Sequence, residues 1–146
     1  LEADGTTVGQ YSNYPVEATF TATATDGSGK TMSVAVYADK INIYNSSASS
    51  FRSSSGSLKC VNPIGSITKM SCSADQKFNT SNYSGMAANL SVNGTQWVKM
   101  TDFTVEGTSA PYTNTVSNSN EDYVYFDFKG NSTTNFYSIE VTFIAD

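Results

Sequence analysis

The 146-residue chain contains no histidine. That removes the most frequent general base, the Ser-His-Asp arrangement and most zinc sites. Charge is scarce as well. Asp, Glu, Lys and Arg make up 14% of the residues, against roughly 25% in an ordinary soluble domain. The two cysteines, Cys60 and Cys72, are too few for a thiolate-only zinc site. A disulfide between them and a pair of free thiols are both open, because a disulfide needs a particular Cα separation that spacing does not give. No apolar run reaches the roughly 18 residues of a membrane-spanning helix. Eight Lys and Arg against 13 Asp and Glu give a net charge of -5. This argues against nucleic acid and anionic membrane surfaces as partners, since both call for clustered cations.

What the chain has instead is small polar residues and aromatics. Ser, Thr and Asn number 22, 18 and 13, and aromatics reach 12%. A disordered chain would be poor in aromatics and rich in charge, so a folded domain is expected. The length suits one domain over residues 1–146, with an irregular N-terminal segment at 1–16. Leu1 and Glu2 are set aside from fold reasoning. The first residue is not Met and no signal peptide is visible, so a module of a larger multidomain protein is expected. The Ser/Thr/Asn/Tyr-rich, Lys-poor composition points to an extracellular or cell-surface setting.

Helical periodicity is weak throughout, while strict alternation recurs. Phe20, Ala22 and Ala24 alternate with threonines, and Asp26-Gly27-Ser28-Gly29 follows as a hairpin turn. Met32, Val34 and Val36 share one face and Tyr37 takes the other. Ile41 and Ile43 alternate with Asn42 and Tyr44. Residues 45–57 read as a long serine-rich loop, or a short irregular strand near Phe51-Arg52. Leu58 and Cys60 point one way and Lys59 the other; Met70 and Cys72 share a face in the strand 66–73. Residues 74–86 read as loop. Ala88, Leu90 and Val92 lead to Asn93-Gly94, a type I′ hairpin signal, and Trp97, Val98 and Met100 continue on the partner strand. Residues 106–120 read as loop. Phe126 and Phe128 face inward, with Tyr123, Tyr125 and Asp127 outward. Tyr137, Ile139, Val141 and Phe143 form the last apolar face.

Eight to ten short strands with regular turns predict an all-β domain, a β-sandwich. A lectin-like jelly roll is favoured over an immunoglobulin-like sandwich, because Trp97 follows both cysteines rather than lying between them. Three segments, Asp39–Tyr44, Gly56–Cys60 and Gly65–Met70, together with the ending Phe136–Phe143 (FYSIEVTF), resemble a spaced strand pattern. It is similar to that of β-sandwich modules in surface and secreted proteins of gut Bacteroidota and Firmicutes. The resemblance spans roughly residues 18–143 and involves no catalytic motif. It implies a sandwich fold and a place near polysaccharide-degrading or polysaccharide-binding machinery.

The candidate binding residues are aromatic. A sugar ring presents a patch of C–H groups that stacks on an aromatic ring, while its hydroxyls seek amides and carboxylates. Trp97, Tyr37, Tyr44, Tyr123 and Tyr125 are candidates for the stacking, with Asn93 and Gln96 beside Trp97 for the hydroxyls. The structural alternative is that solvent-face tyrosines are good strand formers, and that Trp97 caps the end of the core. Tyr83 and Tyr112 are expected to pack their own loops. Glu121-Asp122 and Asp102/Glu106 are the densest carboxylate pairs, but neither lies in a catalytic motif. No cofactor is called for, although Asp26, Asn118, Asn120 and Asp122 offer oxygen ligands for a structural calcium. Six Asn-x-Ser/Thr matches (Asn45, Asn79, Asn82, Asn89, Asn93 and Asn131) arise easily in such a composition. The expectation is a non-catalytic carbohydrate-binding module, not an enzyme, for a polysaccharide such as starch or xylan. The alternative is a structural or adhesion module that contacts another protein.

Overall fold

The computed structural model describes residues 2–3, 6–7, 16–43, 51–78, 86–130 and 135–145. Among these residues there is no helix, and the chain is all-β. The strands are β1 (Glu2–Ala3), β2 (Thr6–Thr7), β3 (Val16–Thr23), β4 (Thr31–Ile43), β5 (Phe51–Cys60), β6 (Ser66–Ala74), β7 (Ala87–Ser91), β8 (Trp97–Lys99), β9 (Phe103–Glu106), β10 (Tyr112–Ser117), β11 (Tyr125–Lys129) and β12 (Asn135–Ile144). β1 and β2 form a small antiparallel ribbon, and the other ten strands share one hydrogen-bonded network.

That network divides at β5. One edge of β5 pairs with β4 along most of its length. The opposite edge pairs with β12 at Phe51 and Arg52, then with β11 at Ser57 to Lys59. Between these stretches the β4–β5 register slips, from Ile41 opposite Ser53 to Asp39 opposite Ser57. The slip falls on Ser54-Ser55-Gly56, small residues that let a strand bend and change partners. Two antiparallel layers result. Layer I runs β3-β4-β5-β11-β7-β8, and layer II runs β12-β6-β10-β9. The architecture is β-sandwich-like, with the corner made by a strand that serves both layers.

Alternation fills the space between the layers. Val34, Val36, Leu58, Cys60, Leu90, Phe126 and Phe128 come from layer I; Ile67, Met70, Cys72, Val116 and Phe136 come from layer II, and all are buried. Phe128 sits edge-to-face with Phe126 and with Phe136, at centroid distances of 5.9 and 6.4 Å. Two bulges keep the pattern in phase. Phe136 lies opposite Ala74 but Ser138 opposite Ser73, so β12 carries an extra residue at Tyr137. Thr142 lies opposite Lys69 but Phe143 opposite Ile67, so β6 carries one at Thr68. The second bulge turns both Ile67 and Met70 inward.

Layer I is the wider layer. Between its hairpin β3–β4 and β12 the packing is looser: Phe20 and Ala22 are only half-buried, and so are Ile139, Val141 and Phe143. An apolar cavity of about 250 Å³ lies there, lined by Phe20, Val34, Ile139, Val141 and Phe143 among others. The hairpin turn itself is as the sequence predicts. The Asp26 carboxylate accepts from the Ser28 N–H at 2.9 Å, and Gly27 and Gly29 take φ of 79° and 73°.

Stretches read as loop contain structure, and for 45–57 it is the strand alternative near Phe51-Arg52 that holds. Part of the serine-rich segment 45–57 is the first half of β5; residues 44–50, Tyr44 included, lie outside the described residues. The segment 106–120 contains β10, whose alternation is hidden because Asn114 takes an inward place. Its Oδ1 accepts from the Phe78 N–H at 2.9 Å and its Nδ2 donates to the Gln76 carbonyl at 3.1 Å. The amide thereby satisfies backbone groups that would otherwise be buried without partners. Phe78 and Met86, at the two ends of the segment read as a loop at 74–86, are buried and bridge one another.

Cys60 and Cys72 are both free thiols, so the disulfide alternative is not realised in this structure. They occupy β5 and β6, strands that do not pair but lie in opposite layers. Desolvation pushes the Cys60 thiol up to about 11 and the Cys72 thiol up to about 12. Thiolate is the reactive form, so both should resist modification. A thiol-reactive disulfide reagent at mildly alkaline pH is expected to label neither cysteine in the native protein and both after denaturation. For the core, Phe128→Ala should cost about 3–5 kcal/mol in urea unfolding. Val92→Ala, at an exposed position, should stay within about 0.5 kcal/mol.

Candidate functional site

The inward faces of both layers are committed to the core, which leaves the outer faces for recognition. On layer I the strand registers align a row of six residues: Glu17, Tyr37, Lys59, Asp127, Asn89 and Lys99, one from each strand. Neighbouring members are directly opposite, so adjacent Cα atoms lie about 4.5–5.5 Å apart. The next row places Tyr125, Ser91 and Trp97 side by side. The row on the other flank holds Ser57, Lys129 and Ala87.

Asp127 is the unusual member. It points away from the core, yet is only 6% exposed, and its neighbour Asn89 is 9% exposed. Asn89 Nδ2 donates to Asp127 Oδ2 at 3.1 Å, while Oδ1 has no hydrogen-bond partner among the described residues. Desolvation pushes the carboxyl up to about 6; the Asn89 hydrogen bond and the charges of Lys59 and Lys129 oppose that shift. Lys59 leans the other way along its row, its Nζ lying 5.6 Å from the centre of the Tyr37 ring. That contact is a cation–π pair, which holds the ammonium at the sheet surface.

The candidate residues divide clearly. Trp97, Tyr37 and Tyr125 all lie on this outer face, each half-buried. Trp97 and Tyr125 flank Ser91 in one row, two strands apart, or about 10 Å between Cα atoms. Gly94, at φ of 76°, lies against the Tyr125 ring, where a side chain would crowd it. Asn93 and Gln96 are exposed beside Trp97. The Asn93 side chain is occupied by the turn: its Oδ1 accepts from the backbone N–H groups of Thr95 and Gln96, each at 2.9 Å. Ser91 Oγ completes the turn by donating to the Gln96 carbonyl at 2.7 Å and accepting from the Gly94 N–H at 2.9 Å. The loop is therefore five residues, 92–96, rather than a two-residue hairpin. Tyr123 precedes β11 and belongs to none of these rows; like Tyr125 it is half-buried and packs against the core, and its carbonyl accepts from the Ile67 N–H at 3.0 Å.

The oxygen ligands proposed for calcium are partly in use. Asn118 Oδ1 accepts from the Asn120 N–H, and Asn120 Oδ1 from the Asp122 N–H. Asp26 sits in a separate turn, between β3 and β4. Among the described residues no three Cys, Asp or Glu side chains converge on one point. Glu121 and Asp122 are both exposed in a turn.

Sequence reasoning placed Asp127 outward but did not find its pairing with Asn89 or the row they share. Alternation assigns a residue to a face; only register assigns it to a row. Compared with protein families, with curated proteins and with solved structures, the chain matches none.

The buried carboxyl carries a definite pH signature. Its proton affinity is raised in the folded state, so the native protein binds more protons than the unfolded chain between about pH 4 and pH 6. The stabilisation is therefore greatest at the acidic end and is lost as pH rises through about 6. Relative to Asp127→Asn, which keeps the Asn89 contact, the wild type should lose about 3 kcal/mol across this window. Urea unfolding of the two proteins at a series of pH values checks it, and a constant difference would overturn the assignment.

Proposed function

We propose that this chain is a non-catalytic carbohydrate-binding module whose ligand lies across the outer face of layer I. The observation that carries this reading is the row Tyr125–Ser91–Trp97 beside a polar row containing Asn89, Asp127 and Lys59. Two aromatic rings on a rigid sheet supply stacking area at low entropic cost, and the neighbouring Lys59 ammonium suits hydroxyls, while the buried Asn89–Asp127 pair lies beneath the surface. The strands flanking Asp127 place Lys59 and Asn89 directly opposite it rather than a second carboxylate, whereas glycoside hydrolysis needs a pair. The module works outside the cell, as one unit of a larger bacterial protein; its Ser/Thr/Asn/Tyr-rich composition and the resemblance to gut-bacterial sandwich modules support that setting. Its fold belongs with the lectin-like jelly rolls, a reading supported by connections such as β5–β6, β6–β7, β10–β11 and β11–β12, each of which changes layer.

Affinity electrophoresis tests the reading, using gels cast with starch, xylan, β-glucan, mannan or pectin. At least one polymer should retard the wild type. Trp97→Ala and Tyr125→Ala should each abolish most of the retardation, since loss of one stacking ring at a two-ring site costs tenfold or more, on the order of 1–2 kcal/mol. No retardation in any gel would overturn the reading in favour of a module that meets another protein.

A further inference from the structure

The chain as a whole is acidic, but the part of its outer layer I face on β5, β11, β7 and β8 is not; the acids Glu17 and Asp39 take outward register positions on β3 and β4. On β5, β11, β7 and β8 the exposed or half-exposed charged side chains of that face are Lys59, Lys129 and Lys99, and the one carboxylate among them, Asp127, is buried. Three of the chain's seven lysines thus gather around Tyr37, Tyr125 and Trp97, while the net charge is -5. Neither Lys59 nor Lys129 is ion-paired with Asp127 among the described residues. Asp127 instead spends Oδ2 on Asn89, and its Oδ1 has no partner among the described residues.

Resting on the carbohydrate-binding reading above, we propose that the glycan is acidic: a polymer of uronic-acid residues whose carboxylates meet Lys59 and Lys129 while its ring faces lie on Trp97 and Tyr125. The two lysines are on adjacent strands, one row apart, and the aromatic row lies on the far side of the Lys59–Asp127 row. A polyuronate presents both chemistries at once, a C–H face and one carboxylate per ring. Its charge is sparser than that of a nucleic acid, whose duplex carries one charge per about 1.7 Å. A surface with few cations on a net-acidic chain matches the sparser polymer. Neutral starch or xylan would bring no charge to Lys59 and Lys129.

The test compares polygalacturonate with the same polymer fully methyl-esterified, which keeps the sugar rings and removes the charge. Wild type, Lys59→Gln/Lys129→Gln and Trp97→Ala are run in gels containing each polymer, in neutral glucan and xylan gels, and against a single-stranded oligonucleotide. The expected result is retardation by polygalacturonate about three- to tenfold stronger than by the ester. It should weaken by a similar factor in the double lysine variant, fall with added salt and be lost in Trp97→Ala. Equal retardation by the ester or by a neutral polymer, unchanged in the lysine variant, would overturn the acidic ligand and leave the carbohydrate-binding reading standing. Equal binding of the oligonucleotide, surviving Trp97→Ala, would overturn it in favour of a nonspecific cationic surface. No retardation in any gel would overturn both.

Discussion

The architecture depends on the divided edge of β5. A strand has two hydrogen-bonding edges, and β5 gives one of them to two different partners in succession. Its first half ties in β12 and hence layer II; its second half ties in β11 and hence the rest of layer I. The Ser54-Ser55-Gly56 segment, where the register slips, is where the two layers part. Because the layers share this strand, their spacing and twist are set by one backbone path rather than by side-chain packing alone. The aromatic contacts of Phe128 with Phe126 and Phe136 then close the space between them.

The same path determines the candidate site. β5 carries Leu58 and Cys60 inward, so Lys59 must face out, directly opposite Tyr37 on one side and Asp127 on the other. A row across six strands follows, and its chemistry is the product of six separate stretches of sequence. The cost is concentrated at Asp127. A carboxyl held away from water, with one oxygen unpartnered among the described residues, lowers stability above its titration range, and recognition surfaces commonly carry such a cost. The arrangement also separates charge: the lysines face solvent on layer I, whereas the ion pair Lys69–Glu140 lies on layer II.

The sequence and the structure agree where the pleat dominates. Phe20 and Ala22, Met32 to Val36, Leu58 and Cys60, and Phe126 and Phe128 were all legible as inward positions from their period of two. The reading failed where polar residues occupy strand positions. β5 begins in a run of serines with no apolar alternation, and β10 hides its inward position behind Asn114, whose role becomes visible only once Phe78 and Gln76 are brought to it. Of the site, the outward positions of Tyr37 and Tyr125 could be read, and Trp97 was left between the face and the core. That Tyr125 and Trp97 share a row, that Asn93 is consumed by its own turn, and that Asp127 is covered were not readable, because each depends on which strand lies beside which.

One feature of layer II bears on how the molecule avoids its own kind. Beyond Phe136, β12 pairs only with β6, so its other edge has no strand beside it among the described residues. A long, regular edge of this kind is a template on which identical chains can stack. Here the strand is kinked by an extra residue at Tyr137, and its partner by one at Thr68, with Glu140 carrying a charge midway between. An incoming flat strand would lose register at either end and meet a carboxylate in the middle. The irregularities that keep the core in phase therefore also guard the molecule against fibre growth.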